Sequence, residues 1–215
     1  NTVYDSKYIL VADNSINNGN IFVFSNQYLN YLKPKKSNYN PIKKYEIDSN
    51  LHWSKIPDFG ELGDIKIPWE YSRFPHFFSY IKSHKATGNK KYIDAFIEDM
   101  ELWLYENKYP YGINYKCGQE MTFRLYSILI SINYFNDFLH KDFLIKVYSH
   151  LALYGYRIES NIEYATISVR NDHAISESIG LILCGLLFKD DIEKANKWFL
   201  IGKNILLKEL NRQIY

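Results

Sequence analysis

Arg170-Asn171-Asp172-His173-Ala174-Ile175-Ser176-Glu177 runs straight into Ser178-Ile179-Gly180-Leu181 and on through Leu187-Phe188, a dense polar block at the head of a strongly apolar stretch. Polar groups crowded there must be satisfied, so they either cap a helix or line a cleft. Asn171 and Asp172 are both residue types that cap, and an acidic Asp172 suits the positive end of a helix dipole. His173 and Glu177 lie one turn apart on one helix face, where the carboxylate can fix the tautomer and orientation of the imidazole. The residues alone leave two readings open, a capped helix with a buried His-Glu pair or a reacting centre. The apolar stretch itself, Ile179 to Phe188, is too short to span a bilayer and suits a buried helix. Its Gly180 and Gly185 lack side chains and so allow another backbone to come close.

The same periodicity extends outward on both sides. Phe74, Phe77, Phe78 and Ile81 recur at three- and four-residue spacing in a helix that starts near Trp69 and stops at Thr87-Gly88-Asn89. Tyr92, Ile93, Phe96, Ile97, Met100, Trp103 and Leu104 form a second stripe, broken between Asn107 and Gly112, where Pro110 lies. Further helices are predicted over about Gly118–Phe135, Lys141–Arg157, Asp172–Phe188 and Ile192–Asn211. Short connections between helices of this length imply antiparallel neighbours, in a bundle or in the helical hairpins of an α/α toroid. Residues 1–65 differ: Asn, Ser, Gly and Pro are scattered through short apolar runs. This region is predicted to be an irregular arm with little regular structure and one short hairpin across Asn17-Asn18-Gly19-Asn20.

With 215 residues and a formal net charge of +2, the chain can bury a sizeable core but carries too little charge for a general nucleic-acid or membrane binder. The one basic cluster, Lys33, Lys35, Lys36, Lys43 and Lys44, reads as a solvated loop, with an anion site as the alternative. Cys117 and Cys184 belong to no metal or disulfide array and are expected to be free thiols packed in helices. His52, His76, His84, His140 and His150 lack partners at metal-ligand spacing. No phosphate-cradling glycine loop or nucleophile elbow is present, so cofactor-free chemistry without a metal is expected. Aromatic residues make up 17% of the chain, which supplies rings that pack inside or stack on sugar faces.

The block from Arg170 through Phe188 resembles the Asn-Asn-His helix of heparinase II/III-type polysaccharide lyases, a family related to alginate lyases. Gly63-Asp64-Ile65-Lys66 leading into Trp69-Glu70-Tyr71-Ser72-Arg73-Phe74 is similar to that family's opening helix. Gly112-Ile113-Asn114-Tyr115 through Gln119-Glu120 and Arg124 is similar to its next block. The resemblance covers about Trp53 to Tyr215. It implies an all-α fold, an incomplete α/α toroid over residues 66–215, followed in the family by the rest of the toroid and a C-terminal β-sandwich. It implies an acidic, uronate-containing polysaccharide as the partner, with no nucleic acid and no membrane span. It also favours a periplasmic or secreted location, although no signal peptide is visible.

The chemistry implied is β-elimination at a uronic acid, with Asn171 neutralising the substrate carboxylate and His173 in proton transfer. Glu177 and Arg170 fall into supporting or substrate-binding places. Asp172 departs from the pattern, because the family usually carries a second Asn directly before the His, and an ionised Asp repels a uronate. Either Asn171 takes the carboxylate, or Asp172 is protonated or paired with Arg170, or activity is altered. The family's catalytic Tyr is expected beyond Tyr215. Trp69 can stack on a sugar and Arg73 can pair with a carboxylate or sulfate, or the two can form a structural cluster with Glu70. Glu120 and Arg124, at i and i+4, are either an intrahelical ion pair or substrate contacts. Two other functions stay open: a glycoside hydrolase using paired carboxylates such as Glu70 and Glu120, and a toroid that binds glycan without catalysis.

Overall fold

The structure is a computed structural model that describes residues 2–58, 60, 63–169 and 171–213; Arg170 lies outside the described residues. Two compact units divide the chain. One comprises Asn1–Lys116 with Tyr126–Leu139, the other Cys117–Leu125 with His140–Tyr215.

The first unit opens with helix α1 (Thr2–Asn18), followed by an antiparallel hairpin of β1 (Asn20–Val23) and β2 (Gln27–Asn30) with Val23 opposite Gln27. A second small hairpin pairs β3 (Tyr39–Asn40) with β4 (Tyr45–Glu46). The region expected to lack regular structure therefore begins with a 17-residue helix. Its inward positions are Val11, Ala12 and Ser15, while Leu10 is 61% exposed. The apolar run Tyr8 to Val11 thus winds around the helix instead of marking a face, which hides the period. The hairpin also falls elsewhere than expected. Gly19, at φ 68°, ends α1 by donating to the Ser15 carbonyl at 3.1 Å, and the chain reverses at Phe24-Ser25, both at positive φ.

Helices α2 (Lys66–Ser72), α3 (Pro75–Thr87) and α4 (Lys91–Glu106) follow. The single helix expected from Trp69 is divided in two because Phe74 adopts φ 56°, and Pro75, which has no N–H to donate, begins a new helix. Phe74 and Phe77 stack at 4.4 Å, and Phe77 meets the edge of Phe96 at 4.9 Å. Each ring buried this way contributes about 1.5–3 kcal/mol. Lys35 departs from the solvated-loop expectation. It is 2% exposed and donates to both oxygens of Asp99 at 2.7 and 3.0 Å, while the Tyr80 hydroxyl donates to the same carboxylate at 2.9 Å. Burial alone would raise the Asp99 carboxyl, but His76 and Lys35 hold it down to about 2.

Helix α5 (Gly118–Phe135) contributes its first residues to the second unit and its remainder to the first. The second unit continues with α6 (Lys141–Glu159), a π-helical turn over Tyr164–Val169, α7 (Asp172–Leu187) and α8 (Ala195–Gln213). Helices α7 and α8 pack closely because of their glycines. A Cβ on Gly185 would fall 2.6 Å from the Phe199 amide nitrogen, and one on Gly202 would fall 2.4 Å from the Ser178 carbonyl oxygen. Gly180 serves a different purpose, since a Cβ there would meet the Thr122 hydroxyl at 2.3 Å. Trp198 is fully buried and donates to Glu159 at 3.0 Å, which Lys197 also reaches at 2.7 Å. Among the described residues no helix is long and apolar enough to cross a membrane.

Candidate functional site

The head of α7 is built as its sequence requires. Asn171 is the N-cap, and its Oδ1 accepts from the His173 amide at 2.9 Å while its own carbonyl accepts from Ala174 at 3.1 Å. Gln213, near the end of α8, donates to that same carbonyl at 3.2 Å and fixes the turn from behind. With Oδ1 engaged, the exposed side chain of Asn171 offers its Nδ2 amide outward as a donor.

Asp172 is exposed and accepts from the Gln119 side-chain amide at 2.8 Å. Its carboxylate is therefore tied to the start of α5. His173 follows, with 31% of its side chain exposed, so one edge of the ring reaches solvent. Its Nδ1 lies 3.9 Å from the Cys117 sulfur and 3.5 Å from Glu177 Oε1. Cys117 first and Glu177 second favour the protonated ring over the opposing effect of burial, and its pKa rises to about 10. At neutral pH His173 is an imidazolium and acts as a proton donor or a positive charge.

Glu177 is buried, and its Oε2 has no hydrogen-bond partner. It fits because of Gly118, where a Cβ would stand 2.4 Å from that oxygen. A buried carboxylate with an unsatisfied oxygen is costly unless a cation sits close by, and His173 is that cation. Cys117 and Gln119 are the parts of this site that spacing within α7 could not show. The signal for them was their place beside Glu120 in the block that opens α5.

The other candidates divide between the two units. In the first, Trp69 is 7% exposed and its indole N–H donates to the Ile113 carbonyl at 3.1 Å. Glu70, also buried, accepts from Arg73 and from the Phe24 amide at the tip of the first hairpin. Ser127 donates to the Arg73 carbonyl at 2.7 Å. These are the contacts of a structural cluster, although Arg73 stays about one-third exposed. In the second unit Glu120 and Arg124 are both buried, with Arg124 donating to the Tyr154 hydroxyl at 3.2 Å. The carboxylates of the hydrolase alternative, Glu70 and Glu120, are thus both buried.

The family description "Heparinase II/III N-terminus" matches residues 4–215. The chain belongs to this family. Two solved structures share its fold. The heparan sulfate lyase HepC from Pedobacter heparinus matches with a TM-score of 0.70 at 15% identity over 97% of this chain. Heparinase III matches with a TM-score of 0.60 at 18% identity, also over 97% of the chain. In both cases the match spans 30% of the larger protein. No curated protein matches the chain. The all-α fold expected from the sequence is the one held in common with these two structures.

Proposed function

We propose that the chain is part of a polysaccharide lyase that cleaves a uronic-acid-containing polymer by β-elimination, with the head of α7 at the reacting sugar. The observation that carries this reading is the pairing of an outward amide donor on Asn171 with a protonated, partly exposed imidazole on His173 at one helix N-terminus. A uronate C5 proton is weakly acidic until the adjacent carboxylate is neutralised, and donors fixed at a helix N-terminus supply that neutralisation without reorganising. Asn171 Nδ2 serves the carboxylate.

His173, charged before substrate arrives, protonates the departing O4 oxygen as the C4–O4 bond breaks. The C5 proton passes to a separate base, for which the resemblance points to a tyrosine. The electron pair released at C5 forms the C4–C5 double bond, so the product is an unsaturated uronate. Glu177 supports the imidazolium and Cys117 flanks it. The Gln119 amide holds the Asp172 carboxylate against the start of α5 and fixes its position.

The test uses the protein that contains this chain. Its digestion of uronate polymers should generate ultraviolet-absorbing unsaturated ends, and His173→Ala should abolish them while unfolding stays cooperative. Chain shortening without an ultraviolet gain, or unchanged turnover in the variant, overturns the proposal.

A further inference from the structure

A cleft of about 750 Å³ opens in the first unit, apart from the groups used above. Its wall carries Tyr105, Tyr109 and Tyr111, exposed to 75%, 38% and 45%, with Asn38, Asn50 and Glu106 among the polar lining groups. Three large rings left in solvent are hydrophobic surface that a folded chain ordinarily covers, and here they gather around one concavity.

The wall is rigid. Tyr111 donates its amide to the Lys108 carbonyl at 2.8 Å, Gly112 donates to Leu51 at 2.9 Å, and Trp53 donates to Pro110 at 3.2 Å. The segment bearing Tyr109 and Tyr111 is thereby stapled to residues 51–53. The Tyr109 ring rests edge-on against buried Tyr115 at 5.2 Å, and the Lys108 ammonium lies 5.5 Å over the Tyr105 ring. Beneath them, Glu106 accepts from both the amide and the hydroxyl of Ser37 at 2.9 Å. Asn107 donates to that hydroxyl at 2.8 Å and accepts from Asn114 at 2.7 Å. The backbone of the wall, the Tyr109 ring and the polar groups beneath it are therefore held before any ligand arrives, which lowers the ordering cost of binding.

We infer that this cleft is a second glycan-binding subsite, sharing no residue with the head of α7, that takes uncharged pyranose rings. A pyranose presents axial C–H bonds on its faces and hydroxyls around its rim. Tyrosine rings match the faces, while carboxylates and carboxamides match the rim. The charges of the cleft balance, since Lys36 pairs with Glu46 at 2.5 Å and the lining adds one further carboxylate, Glu106, and one ammonium, Lys108. A sulfated or uronate ring would find no surplus positive charge there to hold it, whereas an uncharged ring needs none. The cleft lies within the ~300–1,000 Å³ typical of small-ligand sites. The inference rests on reading the chain as a glycan handler but not on the elimination chemistry.

The test is calorimetric titration of the protein with an unsulfated β-linked N-acetylglucosamine tetrasaccharide, alongside a fully sulfated heparin oligosaccharide. The neutral probe should bind, and Tyr105→Ala with Tyr111→Ala should weaken it about tenfold or more. Tyr105→Phe with Tyr111→Phe, which keeps the ring faces, should retain most of the affinity. His173→Ala should leave this titration unchanged. No binding of the neutral probe, equal binding by the double alanine variant, or the sulfated probe competing it from the cleft overturns the subsite. Failure to detect unsaturated products sinks the elimination proposal and leaves this titration as it stands.

Discussion

Replacing Glu177 with Gln removes the negative charge beside His173 while keeping the side chain's size, so the imidazolium should release its proton at lower pH. Glu177 Oε1 lies 3.5 Å from Nδ1. At that distance the attraction is about 1 kcal/mol if water screens it fully and about 5 kcal/mol at an effective dielectric of ~20. Divided by ~1.36 kcal/mol per pKa unit, the range is a fall of about one to three and a half pKa units. The 31% exposure of the ring favours the lower end. In the unaltered chain the folded value of about 10 lies above the ordinary 6.5. Stability from the charged ring is therefore fully present below 6.5 and is lost as the pH rises toward 10. Nuclear magnetic resonance titration of the His173 ring protons in both proteins measures the two midpoints, and urea unfolding across the same range measures the linkage. An unaltered ring that titrates at or below its ordinary value, or the same midpoint in both proteins, refutes the reasoning.

Gly202→Ala should cost about 1–3 kcal/mol in urea unfolding, because the added methyl group would press on a backbone oxygen with little room to yield. An unchanged midpoint would show that α7 and α8 can separate freely. Asp99→Ala should cost about 3–5 kcal/mol by leaving the buried Lys35 ammonium unpaired. In the unaltered protein the Asp99 contribution is present above the ordinary 3.8 and fades as the pH falls toward 2, so acid unfolding followed by circular dichroism should not draw on it at pH 5. Trp69→Phe should cost about 0.5–1.5 kcal/mol by removing one of the two hydrogen bonds that the Ile113 carbonyl accepts, the Lys116 amide keeping the other, without loss of glycan affinity. Lost affinity at constant stability would instead make Trp69 a sugar platform.

Helices α4 to α8 were legible because their apolar residues recur at helical spacing over long stretches. Gly118–Phe135, for example, emerges with the same ends in sequence and structure. Helix α1 was not legible, since a polar Ser15 occupies an inward position and is satisfied by the Tyr80 hydroxyl at 2.7 Å, a partner sixty-five residues away. The break at Phe74 is hidden in the sequence because its ring continues the apolar stripe while its backbone leaves the helix. At the site, the Asn171 cap and the closeness of His173 to Glu177 follow from spacing along one helix. Cys117, Gln119 and the space left by Gly118 depend on α5 arriving beside α7, which local sequence does not encode. The same blindness applied to Lys35, whose buried partner Asp99 belongs to α4.

Helix α5 changes allegiance at Leu125, so neither unit is an unbroken piece of the chain. A cleavage after Lys116 would strip the first unit of Tyr126–Leu139, and one after Leu139 would leave the second without Cys117–Leu125. No single truncation yields either one whole. During synthesis, therefore, the earlier-made unit waits for residue 139 before all of its parts exist, by which time the opening turn of the later one has already emerged.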